Sequence, residues 1–72
     1  MTDLKSALEA VLFAAGDPVP IARLSLSFAI PPEEIESAAM KLAEEYEREE
    51  RGIRLLRMED RLQFALHRTM LP

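Results

Sequence analysis

The apolar residues of this chain keep a helical spacing as far as residue 50 and change, past Gly52, to strict alternation. That single change of period constrains the fold more than any other feature. Between about Pro32 and Glu50, Ile35, Ala38, Ala39, Leu42 and Tyr46 follow the i, i+3, i+4 rule, and Glu33, Glu34 and Glu36 complement the positive end of a helix dipole. Beyond Gly52, Ile53, Leu55 and Arg57 alternate with Arg54, Leu56 and Met58, and Leu62, Phe64 and Leu66 alternate with Gln63 and Ala65. A hairpin follows from this pattern. If its loop is Glu59-Asp60, Met58 pairs with Arg61, and Ile53–Leu66, Leu55–Phe64 and Arg57–Leu62 become cross-strand pairs on one face. The same register places Leu56 and Met58 on the other face beside Arg54, Arg61 and Gln63, which is more apolar than a solvated hairpin requires.

Upstream, prolines cut the helical part into pieces. A first helix reads from Leu4 to Ala15, capped by Thr2 or Asp3 and stopped by Gly16 in a left-handed turn. Leu4, Ala7, Leu8, Val11 and Ala15 share its apolar face and Leu12 widens it. Phe13 points roughly opposite, and because a helix with apolar residues on two sides is usually central in a small domain, Phe13 is read first as core. Asp17-Pro18-Val19-Pro20 cannot continue a helix and forms an extended connector. A second helix, about Ile21 to Ala29, puts Ile21, Leu24 and Phe28 on one face and leaves Leu26 on the other. Pro32 then opens the third helix, with Ile30 and Ile35 placed as a hydrophobic staple. Three short helices followed by a two-stranded hairpin give a mainly α fold of winged helix-turn-helix order, a single domain over residues 1–72.

A chain of 72 residues buries only about 60% of the surface its unfolded state exposes, and with no cysteine it has neither a disulfide nor a thiolate metal site to reinforce a thin core. Help from a partner is therefore expected. The apolar run of the first helix is broken by Lys5, Ser6 and Glu9, which fits neither a signal peptide nor a membrane span, so the chain is read as soluble and cytoplasmic. The net charge of −4 is unevenly spread. Residues 33–50 carry eight glutamates against Lys41 and Arg48, and residues 51–72 carry five arginines against Glu59 and Asp60.

At this point the segment Leu8-Glu9-Ala10-Val11-Leu12-Phe13-Ala14-Ala15-Gly16-Asp17-Pro18-Val19-Pro20 resembles the opening of the bacterial segregation and condensation protein B family. The Pro32-Glu33-Glu34-Ile35 helix start, the Leu42-Ala43-Glu44-Glu45-Tyr46 run, Gly52-Ile53-Arg54-Leu55 and Leu62-Gln63-Phe64 agree with it. Ala29 stands where that family often has glycine, and Glu59-Asp60-Arg61 where it favours a glycine-containing hairpin tip. The family has two tandem winged-helix domains, and the resemblance places this chain as the N-terminal one. It implies a homodimerising accessory subunit that binds the kleisin, an ScpA-like subunit, and through it the SMC ATPase, in chromosome condensation and segregation, with nucleoid association through that complex.

The residues weigh against other classes of function. His67 stands alone without any cysteine, and Ser6, Ser25, Ser27 and Ser37 have no evident base and orienting group, so no catalytic, cofactor-binding or metal-ligating residue is assigned and an enzyme is not expected. The alternative is a winged-helix DNA-binding transcriptional regulator. A reading helix needs Arg, Lys, Asn or Gln on its outer face, whereas the third helix shows Glu33, Glu36, Met40, Glu44 and Glu47 there. The basic hairpin, with Arg54, Arg57, Arg61 and Arg68, could touch phosphate only weakly. Protein binding remains. The residues assigned to an interface are Leu56 and Met58 first, then Leu26, Phe13 and Met40, with Arg54 and Arg61 as charged flanks.

Overall fold

The structure, a computed structural model, describes residues 3–49 and 51–66. Its elements run α1 (Leu4–Ala15), β1 (Val19–Pro20), α2 (Ile21–Phe28), α3 (Pro32–Arg48), β2 (Ile53–Met58) and β3 (Arg61–Leu66). This is the expected winged-helix order with one addition. The proline connector is also a strand: Val19 pairs with Leu62 and Pro20 with Arg61, so the sheet has three strands in the order β1-β3-β2 rather than the two of a bare hairpin. Proline tolerates this edge position because only one side of β1 is paired. The connector is further held by the Ile21 N–H, which donates to the Asp60 carbonyl at 2.7 Å.

α1 begins where Asp3 accepts from the Ser6 backbone N–H at 2.7 Å, a bond that holds the Asp3 carboxyl below its ordinary value of 3.8. It ends at Gly16, whose φ of 73° needs the residue without a Cβ. Thr2, the other cap candidate, lies outside the described residues. The helix turns a different edge inward from the one expected. Leu8 and Leu12 are buried, while Val11 and Ala15 are exposed, because α1 packs against α3 and β3 along the line through Leu8 and Leu12. Phe13 is 72% exposed, so its assignment to the core is corrected. It lies one residue, about 100° of helical turn, beyond Leu12, on a side that no other element covers.

α2 and α3 meet in a tight turn. The Ile30 N–H bonds the Ser25 carbonyl at 3.1 Å, and the Ser25 hydroxyl donates back to the Ile30 carbonyl at 2.5 Å. Ala29 closes α2 in the left-handed region, at φ 55° and ψ 45°, a conformation that costs a residue with a Cβ about 1–2 kcal/mol. Ala29→Gly removes that cost but loosens the unfolded chain, so we expect a net gain of roughly 0.5–1 kcal/mol in urea denaturation. A loss of stability would show that the turn does not hold Ala29 in this conformation.

α3 starts with Pro32 at its first turn and buries Ile35, Ala38, Ala39, Leu42 and Tyr46, the whole expected stripe. It ends at Arg48, short of Glu50, which lies outside the described residues, as do His67 and Arg68. Ile35 is buried in the apolar core and Ile30, half-buried, packs against that core. The hairpin register is the expected one at every pair from Ile53–Leu66 to Met58–Arg61. Its two-residue tip holds Glu59 at φ 57°, which takes the place of the glycine such a turn prefers. The centre of the core is built from Leu8, Leu12, Leu24, Ile35 and Leu62, two residues from α1 and one each from α2, α3 and the middle strand of the sheet.

Candidate protein-interaction surface

α3 and the hairpin do not close completely on one another. Glu36, Ala39, Met40 and Ala43 recur at helical spacing along the edge of α3 that faces β2, and two of them are alanines. Small side chains there leave an apolar groove of about 250 Å³ between helix and sheet, floored by Leu55 and Leu62. Met40, 65% exposed, forms its helical wall. One end is closed by Arg57, which donates to Glu36 and joins strand to helix. Thus one of the acidic residues on the outer face of α3 and one of the hairpin arginines partly neutralise each other. Glu33 and Glu44 stay exposed on the solvent side of the groove, about 20–40° of helical turn beyond Met40.

The C-terminal half of α3 is tied to its neighbours through one side chain. Tyr46, buried on α3, donates its hydroxyl to the Glu9 carboxylate of α1, stacks on Phe64 of β3 with centroids 5.3 Å apart, and carries the Arg51 guanidinium 4.7 Å from its ring centroid. Burial first, and then the hydrogen bond to Glu9, raise the phenol above its ordinary value of 10.0. Lys5 of α1 reaches Glu45 of α3 alongside, and Arg51 Nε donates to Glu49 at 2.6 Å. One phenol therefore joins α1, α3 and the sheet.

The opposite face of the hairpin is the patch expected from the alternation. Arg54, Leu56, Met58, Arg61 and Gln63 share it, with Met58 opposite Arg61 and Leu56 opposite Gln63. Leu56 is half-buried and Met58 is 40% exposed, while Gln63 Nε2 donates to the Gly16 carbonyl at 3.2 Å and ties this face to the end of α1. Leu56 sits centrally and Met58 at the tip end beside Arg61, with Arg54 and Arg61 at diagonal corners. The remaining interface candidates are not brought into this patch: Phe13 lies on α1 and Leu26, 84% exposed, on α2, whereas Met40 belongs to the groove. Sequence reasoning missed the groove itself. The signal available was the pair Ala39 and Ala43, small residues four apart on the strand-facing edge of α3, with Leu55 at the matching strand position.

Among the described residues no group of three or more His, Asp or Glu is placed to hold a metal ion, and no helix is long and apolar enough to cross a membrane. The outer face of α3 presents Glu33, Met40 and Glu44 to solvent, the arrangement least suited to a phosphate backbone.

Comparison with known proteins agrees with these features. The model of the family described as segregation and condensation complex subunit ScpB matches residues 6–71. The chain belongs to the ScpB family. Among its relatives, segregation and condensation protein B of Alkaliphilus oremlandii is 38% identical over 63 residues, covering 88% of this chain and 34% of the relative. The same protein of Moorella thermoacetica is 40% identical over 53 residues, covering 74% of this chain and 27% of the relative. The chain thus spans about a third of the length of the curated relatives it matches. Among solved structures, a crystal structure of a dimer of the ScpB N-terminal domain complexed with ScpA peptide superposes with a TM-score of 0.82 at 29% identity, over 90% of this chain and 82% of that one.

Proposed function

We propose that this chain is a non-enzymatic protein-interaction module of a chromosome segregation and condensation complex, which pairs with a second copy of itself and holds a segment of a kleisin, ScpA-like subunit. Through that subunit it associates with the SMC ATPase, in the cytoplasm and at the nucleoid. We read it as the N-terminal of two winged-helix domains. The observation that carries this reading is the likeness, over nine-tenths of the chain, to a domain solved as a dimer complexed with ScpA peptide. The physical features support it. A rigid fold leaves apolar side chains outside its core on the hairpin, on α3, on α1 and on α2, and an interaction module needs surfaces of this kind. Leu56, Met58 and Met40, flanked by Arg54 and Arg61, are the residues we assign to protein contact, with Phe13 and Leu26 as a further apolar surface on the helices.

The reading excludes DNA as the main ligand. With seven glutamates on α3 and at its C-cap against Lys41 and Arg48, the helix that would enter a groove is repelled by it. We expect no retardation of a mixed-sequence duplex by this chain at low salt. Binding that appears there and falls steeply as salt is raised would contradict the reading and favour a DNA-binding regulator.

A further inference from the structure

The two edges of the sheet are unlike. β1 is a two-residue edge that ends in Pro20, which has no N–H to offer. β2, at the other edge, runs for six residues, Ile53–Met58, without proline or glycine. Which of its backbone groups are free follows from the register. Leu62 pairs with Val19 of β1, and the Asp60 carbonyl accepts from the Ile21 N–H, so the even-numbered residues of β3 turn their backbone groups toward β1. The odd-numbered ones, Arg61, Gln63 and Ala65, therefore bond Met58, Leu56 and Arg54. Ile53, Leu55 and Arg57 are left with N–H and C=O directed out of the sheet, and no turn, cap or loop bond among the described residues takes them up. Edges of this length are commonly blunted by proline, lysine or a bulge, and β2 has none of the three.

The groove lies beside this edge. α1 covers the other flank of α3, where Leu4 and Lys5 stand near Glu34, Ser37 and Lys41, and the groove runs along the flank toward β2. A strand added to β2 sends alternate side chains to opposite faces of the sheet, so a single segment meets both surfaces at once. On the α3 side its neighbours are Leu55, Ala39, Met40 and Ala43, with Arg57 already taken by Glu36, so that side accepts apolar side chains and no charge. On the other side they are Arg54, Leu56 and Met58. Arg54 is half-buried and has no hydrogen-bond or ion-pair partner among the described residues, so the side chain that suits it is a carboxylate. We propose that the β2 edge takes an extended segment of a partner protein as an added strand, with aliphatic residues on its groove side and an acidic residue on the other face opposite Arg54. The main chain supplies affinity and the alternate side chains supply selectivity. A groove of about 250 Å³ has room for a side chain or two of such a strand and not for a helix. This rests on the protein-interaction reading above and goes beyond it in the form of the segment held, and the experiment below can fail while uptake of the ScpA peptide stands.

The probe is a short synthetic peptide with valine at every second position, threonine between, and one threonine replaced by glutamate. Titrated into the isotope-labelled chain and followed by amide NMR, it should give saturable shifts at Ile53, Leu55 and Arg57. A peptide of the same composition in scrambled order should bind about tenfold more weakly. Two N-methylated copies, one methylated at the valines and one at the residues between them, separate strand addition from side-chain contact: the copy whose methyl groups point at β2 should lose about tenfold and the other should not. Arg54→Glu should weaken the glutamate peptide by about tenfold and favour a copy carrying lysine in its place. Ala43→Leu, at a half-buried site on the groove, should weaken it similarly, with a circular dichroism melt verifying the fold of each variant. Equal binding of the ordered and scrambled peptides, or of the two methylated copies, overturns the proposal. So do variants that bind as the wild type does, or β2 amides that shift with chain concentration in the absence of peptide, which would give the edge to a second copy.

Discussion

Leu8→Ala is expected to leave this chain largely unfolded at room temperature. Leu8 is 0% exposed, at the centre of the cluster that joins α1 to α3 and the sheet, and removing its branched end deletes contacts on every side. Substitutions of this kind cost about 2–4 kcal/mol when the surroundings relax only partly. A domain of this size without a disulfide or a metal has a total stability of only about 3–5 kcal/mol. The loss therefore consumes most of what holds the fold together. Leu42→Ala, at a site 3% exposed on α3, is expected to act in the same way. Circular dichroism on heating decides it: a broad, low or absent transition is the expected result. A full cooperative melt retained in both variants would contradict the packing of α1 and α3.

The second large effect falls on association and spares the fold. Leu56→Glu combined with Met58→Glu places two carboxylates per copy where the hairpin patch has its apolar centre. An unpaired charge buried in a contact costs roughly 3–5 kcal/mol, and two-fold symmetry repeats each change, so the dimer should weaken by two orders of magnitude or more. The side chains stand on the face of the sheet opposite Leu55, Leu62 and Phe64, so the core is not invaded. Helical circular dichroism should be unchanged while the sedimentation coefficient falls to that of a monomer. A variant that remains dimeric would move the contact to Phe13 on α1 or Leu26 on α2. Met58→Glu alone, at the more exposed of the two positions, should show the same direction with a smaller effect.

The parts of this architecture that follow from local pattern were legible in the sequence. The buried stripe of α3 is a 3.6-residue repeat long enough to be unambiguous, and the hairpin register follows from the alternation once Glu59-Asp60 is taken as the loop. The β1 strand was not legible. Two residues, one of them proline, carry no periodicity, and their pairing with Leu62 and Arg61 is settled by tertiary contact alone. Phe13 misled for a related reason. Its hydrophobicity argues for burial, but a domain of three helices and one small sheet has too few elements to surround α1, so one apolar side of that helix remains outside. The groove depends on how small the side chains at Ala39 and Ala43 are relative to the strand across from them, a quantity that exists only once helix and sheet are docked.

The central claim is that this chain works by holding other protein chains, a copy of itself and a kleisin segment. Sedimentation of the wild-type chain across a concentration series, alone and with the ScpA peptide, tests it most directly. The expected result is a concentration-dependent monomer–dimer equilibrium whose dimer takes up the peptide and moves toward larger mass. A chain that stays monomeric to high micromolar concentration and sediments unchanged in the presence of the peptide would contradict it.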